Sequence, residues 1–390
     1  MPSALPSAPA ARAPAHTPPL WALHILFLMT GTGTTMLGPI LPLLMRTWQI
    51  HDSQAGALLA AQFIGAFAGG MSVGSHVRRV LLTASTAAAC GLALFAAAVT
   101  RSGGMPVALV ALLLAGFGIG HMIAANNIIG SQFPADRRAR TLTLLNLSWS
   151  LGAILSPVLA AGLLPHLSLP VLLTSFAALF VCAGVAVNAH LASPPAQSAA
   201  NESLGASRHI ILFFGTMMLL YGGIETCMNG WLTTYILRYG NHTLSSSQLS
   251  TSLFWIALIA GRLFTAAALS WIGERNLLRI ALGATTLCIA CLVRAHTPLS
   301  LLVCAGLLGL SMAACFPVCF SVMAGFHPRA RQAGVVIAVS GIGAAVLPWL
   351  SGIVSTRTGS LHIGLAVPLL AVIAMFAMSL ALPRHAAASH

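Results

Sequence analysis

The chain is a succession of apolar runs, each about as long as a lipid bilayer is thick, and this restricts its fold more than any other feature. A helix needs roughly 20 consecutive apolar residues to cross the hydrocarbon core. Such runs fall at about 20–45, 53–74, 79–100, 105–131, 141–163 and 168–190. Six more follow at about 209–237, 247–271, 276–294, 298–326, 331–356 and 361–383. Between the two sets lies the longest internal polar stretch, LASPPAQSAANESLGASR at 191–208, whose Pro, Ser and Asn mark a linker. The spacing predicts an all-α membrane protein of twelve transmembrane helices. It divides into six-helix bundles at 20–190 and 209–383, with a disordered tail at 1–19, a cytoplasmic linker at 191–208 and a short C-terminal tail at 384–390. The first run is too long for the apolar core of a cleaved signal peptide.

Composition agrees. Charged residues make up 6% of the chain and hydrophobic ones 58%, with a mean hydropathy of +0.92. Soluble domains carry about 25% charged residues, so lipid must be the solvent for most of this surface. The formal charge of +13 is not a nucleic-acid footprint. The cations, all arginine, are scattered through short loops without interleaved aromatics. They set topology instead. With both termini in the cytoplasm, twelve arginines fall inside, including Arg78, Arg79, Arg137, Arg138 and Arg140. Five fall outside: Arg46, Arg101, Arg238, Arg294 and Arg357. That bias predicts cytoplasmic termini in a cell (inner) membrane. The eight cysteines all lie in apolar runs and read as small packing residues, Cys288 and Cys291 included. No metal site and no cofactor is expected.

The two halves echo each other. Gly152 to Pro157 reads GAILSP and Gly343 to Pro348 reads GAAVLP, at the same place in each half. The break after the second run reads RRVLL and that after the eighth reads ERNLL. The breaks after the fourth and tenth runs contain FPADRRAR and HPRARQA. Three matches in order argue for internal duplication, a transporter signature with the solute site near the midplane.

On these features the chain resembles the major facilitator superfamily over nearly its whole length. Gly70 to Arg79 keeps a glycine and two arginines of that family's GxxxDRxGRR loop motif, without its Asp. Within the superfamily it is most similar to the fucose/glucose permease-like branch, through GIGHMIAANN, YGGIETCMNGWLTTY, SLFWIALIAGR and GxGAAVLPWLSG. The resemblance implies two pseudo-symmetric bundles, alternating access, proton coupling and a sugar-like solute. It also implies a cytoplasmic gating role for Arg78 and Arg79. The branch's acidic residues on the first and fourth helices are missing here; His121 and Met122 stand where the latter would fall.

Two charges lie deep in apolar runs. Glu225, within Tyr221 to Tyr235, is one of five acids in the chain, and Arg262 lies in the next run. A charge at the bilayer centre costs about 2.5–3.5 kcal/mol on insertion scales, so such residues face a protein interior or a watery cavity. Glu225 is a candidate proton or solute ligand, with a structural tie as its rival. Arg262 is an anion or solute ligand, or Glu225's partner; counting 1.5 Å per residue puts both near the midplane. His121, placed at mid-membrane depth, is a candidate proton relay, and His24 a weaker one near the interface. Gln62, Asn126, Asn127, Asn146, Trp149, Asn229 and Trp231 offer amides and indoles to a sugar, or tie helices together. Gly118, Pro157, Gly343 and Pro348 are hinge or close-packing candidates.

The expected function is a secondary active transporter, a monomer in the bilayer, that moves a small polar or polyhydroxylated solute with protons. The alternative is an exporter of a drug or of a polar metabolite such as a siderophore. No GxxxxGK[ST] nucleotide loop appears, and neither HExxH nor GxSxG, which sets aside an ATP-driven pump and a membrane enzyme.

Overall fold

Prolines decide where this all-helical chain breaks. The structure is a computed structural model that describes residues 20–73, 77–101, 104–131, 133, 135–190 and 205–382. The expected tails and most of the linker lie outside the described residues. Twelve helices are long and apolar enough to cross a membrane. They are α1 Leu20–Trp48, α2 Asp52–Met71, α3 Val77–Val99, α4 Met105–Ser131, α5 Ala135–Leu163 and α6 Leu169–His190. The second set is α7 Arg208–Tyr239, α8 Leu244–Ala268, α9 Glu274–Arg294, α10 Pro298–Ala324, α11 Ala330–Thr358 and α12 Leu361–Leu380. The expected runs match to within a few residues, except that α5 begins a turn and a half earlier. The chain is a multi-pass membrane protein.

Three helices are interrupted. α1 breaks at Met36, α10 at Ala313–Ala314 and α12 at Leu365. Each break falls at or beside the carbonyl that a proline four residues on cannot bond: Thr35 for Pro39, Ala313 for Pro317, Gly364 for Pro368. Side chains bond the backbone on both sides of the first break. Gln62 Nε2 donates to the carbonyls of Gly33 and Thr34 at 3.3 and 2.9 Å. Gln248, from the other half, donates to that of Pro39 at 2.9 Å. Pro157 and Pro348, by contrast, sit inside continuous helices.

The repeated GAxxxP segments occupy equivalent places. Gly152 of α5 lies against the backbone of Leu28 and Thr32 in α1, and Gly343 of α11 against Leu219 and Gly223 in α7. A Cβ at either glycine would strike a backbone carbonyl, so only glycine lets these helices touch. Gly31 of α1 against Trp149, and Gly222 of α7 against Ser340, complete the same contact from the other side. Gly118 plays this part within the first half, against Ala84 and Ala88 of α3.

Since successive helices alternate in direction, the described chain begins and ends at one face, the terminal end. The loops after α1 and α7 lie at the opposite face, the far end. The two halves meet through α2 with α11, α5 with α8 and α1 with α7.

Candidate functional site

Two arrangements lie on the seam between the halves, one at mid-depth and one at the far end. At mid-depth is a cavity of about 180 Å³. Thr34, Thr35, Phe63 and Trp149 line it from the first half. Gly222, Glu225, Thr226, Asn229, Trp255, Ser340, Gly341 and Ala344 line it from the second. The break in α1 turns Thr34 and Thr35 toward this space. Trp149 and Trp255, from opposite halves, meet edge to face with ring centroids 5.7 Å apart. The Trp255 indole N–H donates to Asn229 Oδ1 at 3.1 Å, which fixes both side chains and leaves the Asn229 amide N–H groups for another acceptor.

Glu225 is the one carboxyl in that lining. Its Oε1 accepts the Tyr221 hydroxyl at 2.7 Å, one helical turn away. Tyr221 in turn packs on Phe316 of α10. Arg262 does not pair with Glu225: its Nη1 donates to Ser150 Oγ of α5, across the seam, at 3.3 Å. The two charges still act on each other through space. Their relative depth follows from helical rise. The Trp255–Asn229 bond marks one level. Glu225 lies four residues from it along α7, about 6 Å toward the terminal end, and Arg262 seven residues along α8, about 10 Å the same way. Arg262 therefore stands just below Glu225, on the terminal-end side of the cavity.

The far-end arrangement joins three helices. Arg238, in the last turn of α7, donates from Nη1 and Nη2 to Asp52 Oδ2 and Oδ1 at 2.7 and 2.5 Å. Ser355 of α11 donates to Asp52 Oδ2 at 2.5 Å. The backbone N–H of Ser53 donates to Thr356 Oγ1 at 2.8 Å. Asp52 opens α2, where a carboxylate also complements the helix dipole. A pocket of about 240 Å³ lined by His51, Asp52, Arg238, Ser355 and Thr356 lies over this cluster. Further ties across the seam run from Ser245 to the Ala161 carbonyl and from Ser252 to that of Ile154.

The sequence-predicted residues divide. Glu225, Asn229 and Trp149 line the cavity together, while Arg262 is not in the lining and bonds Ser150 across the seam. Gln62 instead spends its amide on the break in α1, and Trp231, fully buried, donates to the Pro348 carbonyl at 3.0 Å. Both hold helices together in this conformation. His121 is not at the level of the cavity: its Nδ1 meets Ser72 Oγ at 2.9 Å, at the terminal-end tip of α2. Asn126 is fully buried, with both amide atoms lacking partners among the described residues, and does not line the cavity. His24 bonds Ser148 at 2.7 Å, and Asn127 and Asn146 bond their own helix backbones. The side chains of Arg78 and Arg79 lie outside the described residues.

Sequence reasoning missed Asp52, Ser355, Trp255, Thr34, Thr35 and Ser340, and took Arg238 as a topology signal only. Asp52 was findable, as one of five acids in the chain, standing at a helix start. The hydroxyls were not, since serine and threonine occur throughout membrane helices.

Comparison with known proteins agrees with this architecture. The sequence model of the Major Facilitator Superfamily matches residues 23–298. No curated protein sequence matches significantly. Among solved structures, a bacterial homologue of the human lysosomal transporter Spinster, inward-facing and occupied, is 10% identical with a TM-score of 0.74, covering 95% of this chain and 97% of its own. The inward-open xylose transporter XylE from E. coli is 14% identical with a TM-score of 0.72, covering 92% and 95%. The superfamily transporter FucP in its outward conformation is 18% identical with a TM-score of 0.64, covering 95% and 100%. With its twelve helices, its repeated halves and this match, the chain belongs to the Major Facilitator Superfamily of transporters.

Proposed function

We propose that the protein moves a small polyhydroxylated solute, a sugar or similar molecule, across a cell membrane by alternating access, with Glu225 carrying the coupling proton. One observation supports this reading above the others: the mid-depth cavity draws its walls from both halves and contains a single carboxyl. A buried carboxyl without a salt-bridge partner is costly as an anion. Proton binding removes that cost, and a solute hydroxyl can use its open Oε2. Threonine, serine and asparagine groups meet hydroxyls, and Trp149, Trp255 and Phe63 meet the apolar face of a ring.

The arginine distribution favours a cytoplasmic terminal end, with units at 20–190 and 209–383 joined by a linker at 191–208, and a monomer as the working form. On that orientation the Asp52–Arg238–Ser355 cluster closes the outer side and the solute path leads inward past Arg262. To face outward the halves must part at the far end and break that cluster. The packed contacts at Gly152 and Gly343 keep each half rigid while Pro157 and Pro348 allow α5 and α11 to bend.

The test is proton movement in proteoliposomes that hold a pH-sensitive dye, with a panel of sugars and polar metabolites added outside. A solute-triggered pH change in the wild type that vanishes in Glu225→Gln is expected. An equal change in both proteins would make Glu225 structural.

A further inference from the structure

The cavity wall has a hydrogen-bond polarity. The Thr34 hydroxyl donates to the Thr30 carbonyl at 2.6 Å, that of Thr35 to Gly31 at 2.9 Å and that of Ser340 to Ile337 at 2.6 Å. Each of these three hydroxyls has used its one proton and can offer a ligand only lone pairs. Glu225 Oε2 is a further acceptor while the carboxyl is ionised and a donor once it takes its proton, since Oε1 already accepts from Tyr221. The Thr34, Thr35 and Ser340 hydroxyls therefore favour a partner that brings O–H donors, because a buried acceptor facing another acceptor leaves both unsatisfied, while the Asn229 amide N–H groups can meet that partner's oxygens.

The terminal-end side, where Arg262 stands at a depth below Glu225, has the opposite character. Arg262 makes one hydrogen bond among the described residues, to the neutral Ser150 hydroxyl. A guanidinium carries five N–H donors in a planar fork that matches a carboxylate. Most of that fork is unfilled among the described residues, where the ion pair is Asp52–Arg238. The groups acting on Glu225 are Tyr221 of its own helix, Arg262 of α8 and Cys315 of α10.

From this juxtaposition, and resting on the transport reading above, we propose that the solute is a polyhydroxylated monocarboxylate. Its hydroxyls face Thr34, Thr35 and Ser340, and its carboxylate lies on Arg262. The assignment also gives the coupling a physical cause. A carboxylate seated on Arg262 adds an anion beside the group whose charge already acts on Glu225, and two neighbouring anions repel in a low-dielectric site. A proton on Glu225 removes the repulsion, so solute and proton bind together and leave together. No bond in the solute is made or broken.

The experiment compares radiolabelled gluconate with glucose, its uncharged counterpart, in proteoliposomes under an inward proton gradient. The full-length wild type, Arg262→Lys and Arg262→Gln are used. Gluconate entry in the wild type is expected to exceed glucose entry at least tenfold, with proton uptake alongside. Arg262→Gln is expected to lose gluconate entry at least tenfold, and Arg262→Lys to recover part of it. A thermal shift in detergent, with and without gluconate, accompanies the flux. A monodisperse Arg262→Gln whose melting temperature no longer responds to gluconate separates lost binding from lost fold. Equal entry of glucose and gluconate, or gluconate entry unchanged in Arg262→Gln, would overturn the assignment and leave the transport reading intact. If neither compound enters or shifts the wild type, the assignment also fails. The transport reading would fail only if no solute on the wider panel moved protons either.

Discussion

Two acids are embedded in this seam, and they are held in opposite ways. Asp52 at the far end is saturated. Both its oxygens bond Arg238, one also accepts from Ser355, and the three residues come from α2, α7 and α11. Glu225 at mid-depth has the hydroxyl of Tyr221 and an arginine nearby that bonds elsewhere. A carboxylate with its bonds complete resists change and suits a latch. One left incomplete, in a cavity, is free to take a proton or a ligand. The difference between them is coordination more than burial, and it separates a closing contact from a working site.

The comparison can be broken in several places. The largest effect is expected at Glu225: Glu225→Gln should lower proton-coupled solute uptake by about a hundredfold, the scale on which a missing proton-transfer group acts, while the protein stays folded. Next comes Asp52→Ala, which leaves Arg238 facing the first half without its anion. Arg238 is 35% exposed, so the coupling measured by a double-mutant cycle with Arg238→Ala should be about 1–2 kcal/mol, between values for exposed and buried pairs. Chemical labelling of a cysteine at Thr356 from the far side should rise in Asp52→Ala, because the tie at that end is loosened. The reversed pair Asp52→Arg with Arg238→Asp should restore part of the protection. A smaller change is expected from Tyr221→Phe. It removes the one hydrogen-bond partner Glu225 has among the described residues, so the pH dependence of uptake should shift while maximal uptake falls less than in Glu225→Gln. Smallest is Ser355→Ala, which removes one of three bonds to Asp52 and should cost about 1 kcal/mol or less in thermal stability.

The fold was legible because it rests on long-period patterns. Twelve apolar runs, a polar linker and the GAxxxP repeat are read directly, and the repeat marks contacts that the structure makes at Gly152 and Gly343. The breaks in α1, α10 and α12 were also within reach, three to four residues before Pro39, Pro317 and Pro368. The site was legible only where a residue type is rare in its surroundings. Glu225 and Arg262 stand out in apolar helices, and the structure puts Glu225 in the cavity and Arg262 on Ser150 across the seam. Amides gave no such guidance. Gln62, Asn126 and Asn229 are equivalent by composition, yet one caps a helix break, one is sealed in the first half and one lines the cavity. Which face each presents depends on helix rotation and neighbours, and these are tertiary facts. The latch was missed for a related reason: Asp52 and Arg238 are 186 residues apart, and each alone looks like an ordinary helix-end charge.

The most direct test compares the two acids in one assay with a transported solute. Counterflow exchanges solute for solute with no net proton movement, while uphill uptake requires the proton. Glu225→Gln should keep counterflow and lose uphill uptake, whereas Asp52→Asn should keep both in proportion, at altered rate. Uphill uptake surviving in Glu225→Gln but lost in Asp52→Asn would contradict the account and make the far-end acid the proton carrier.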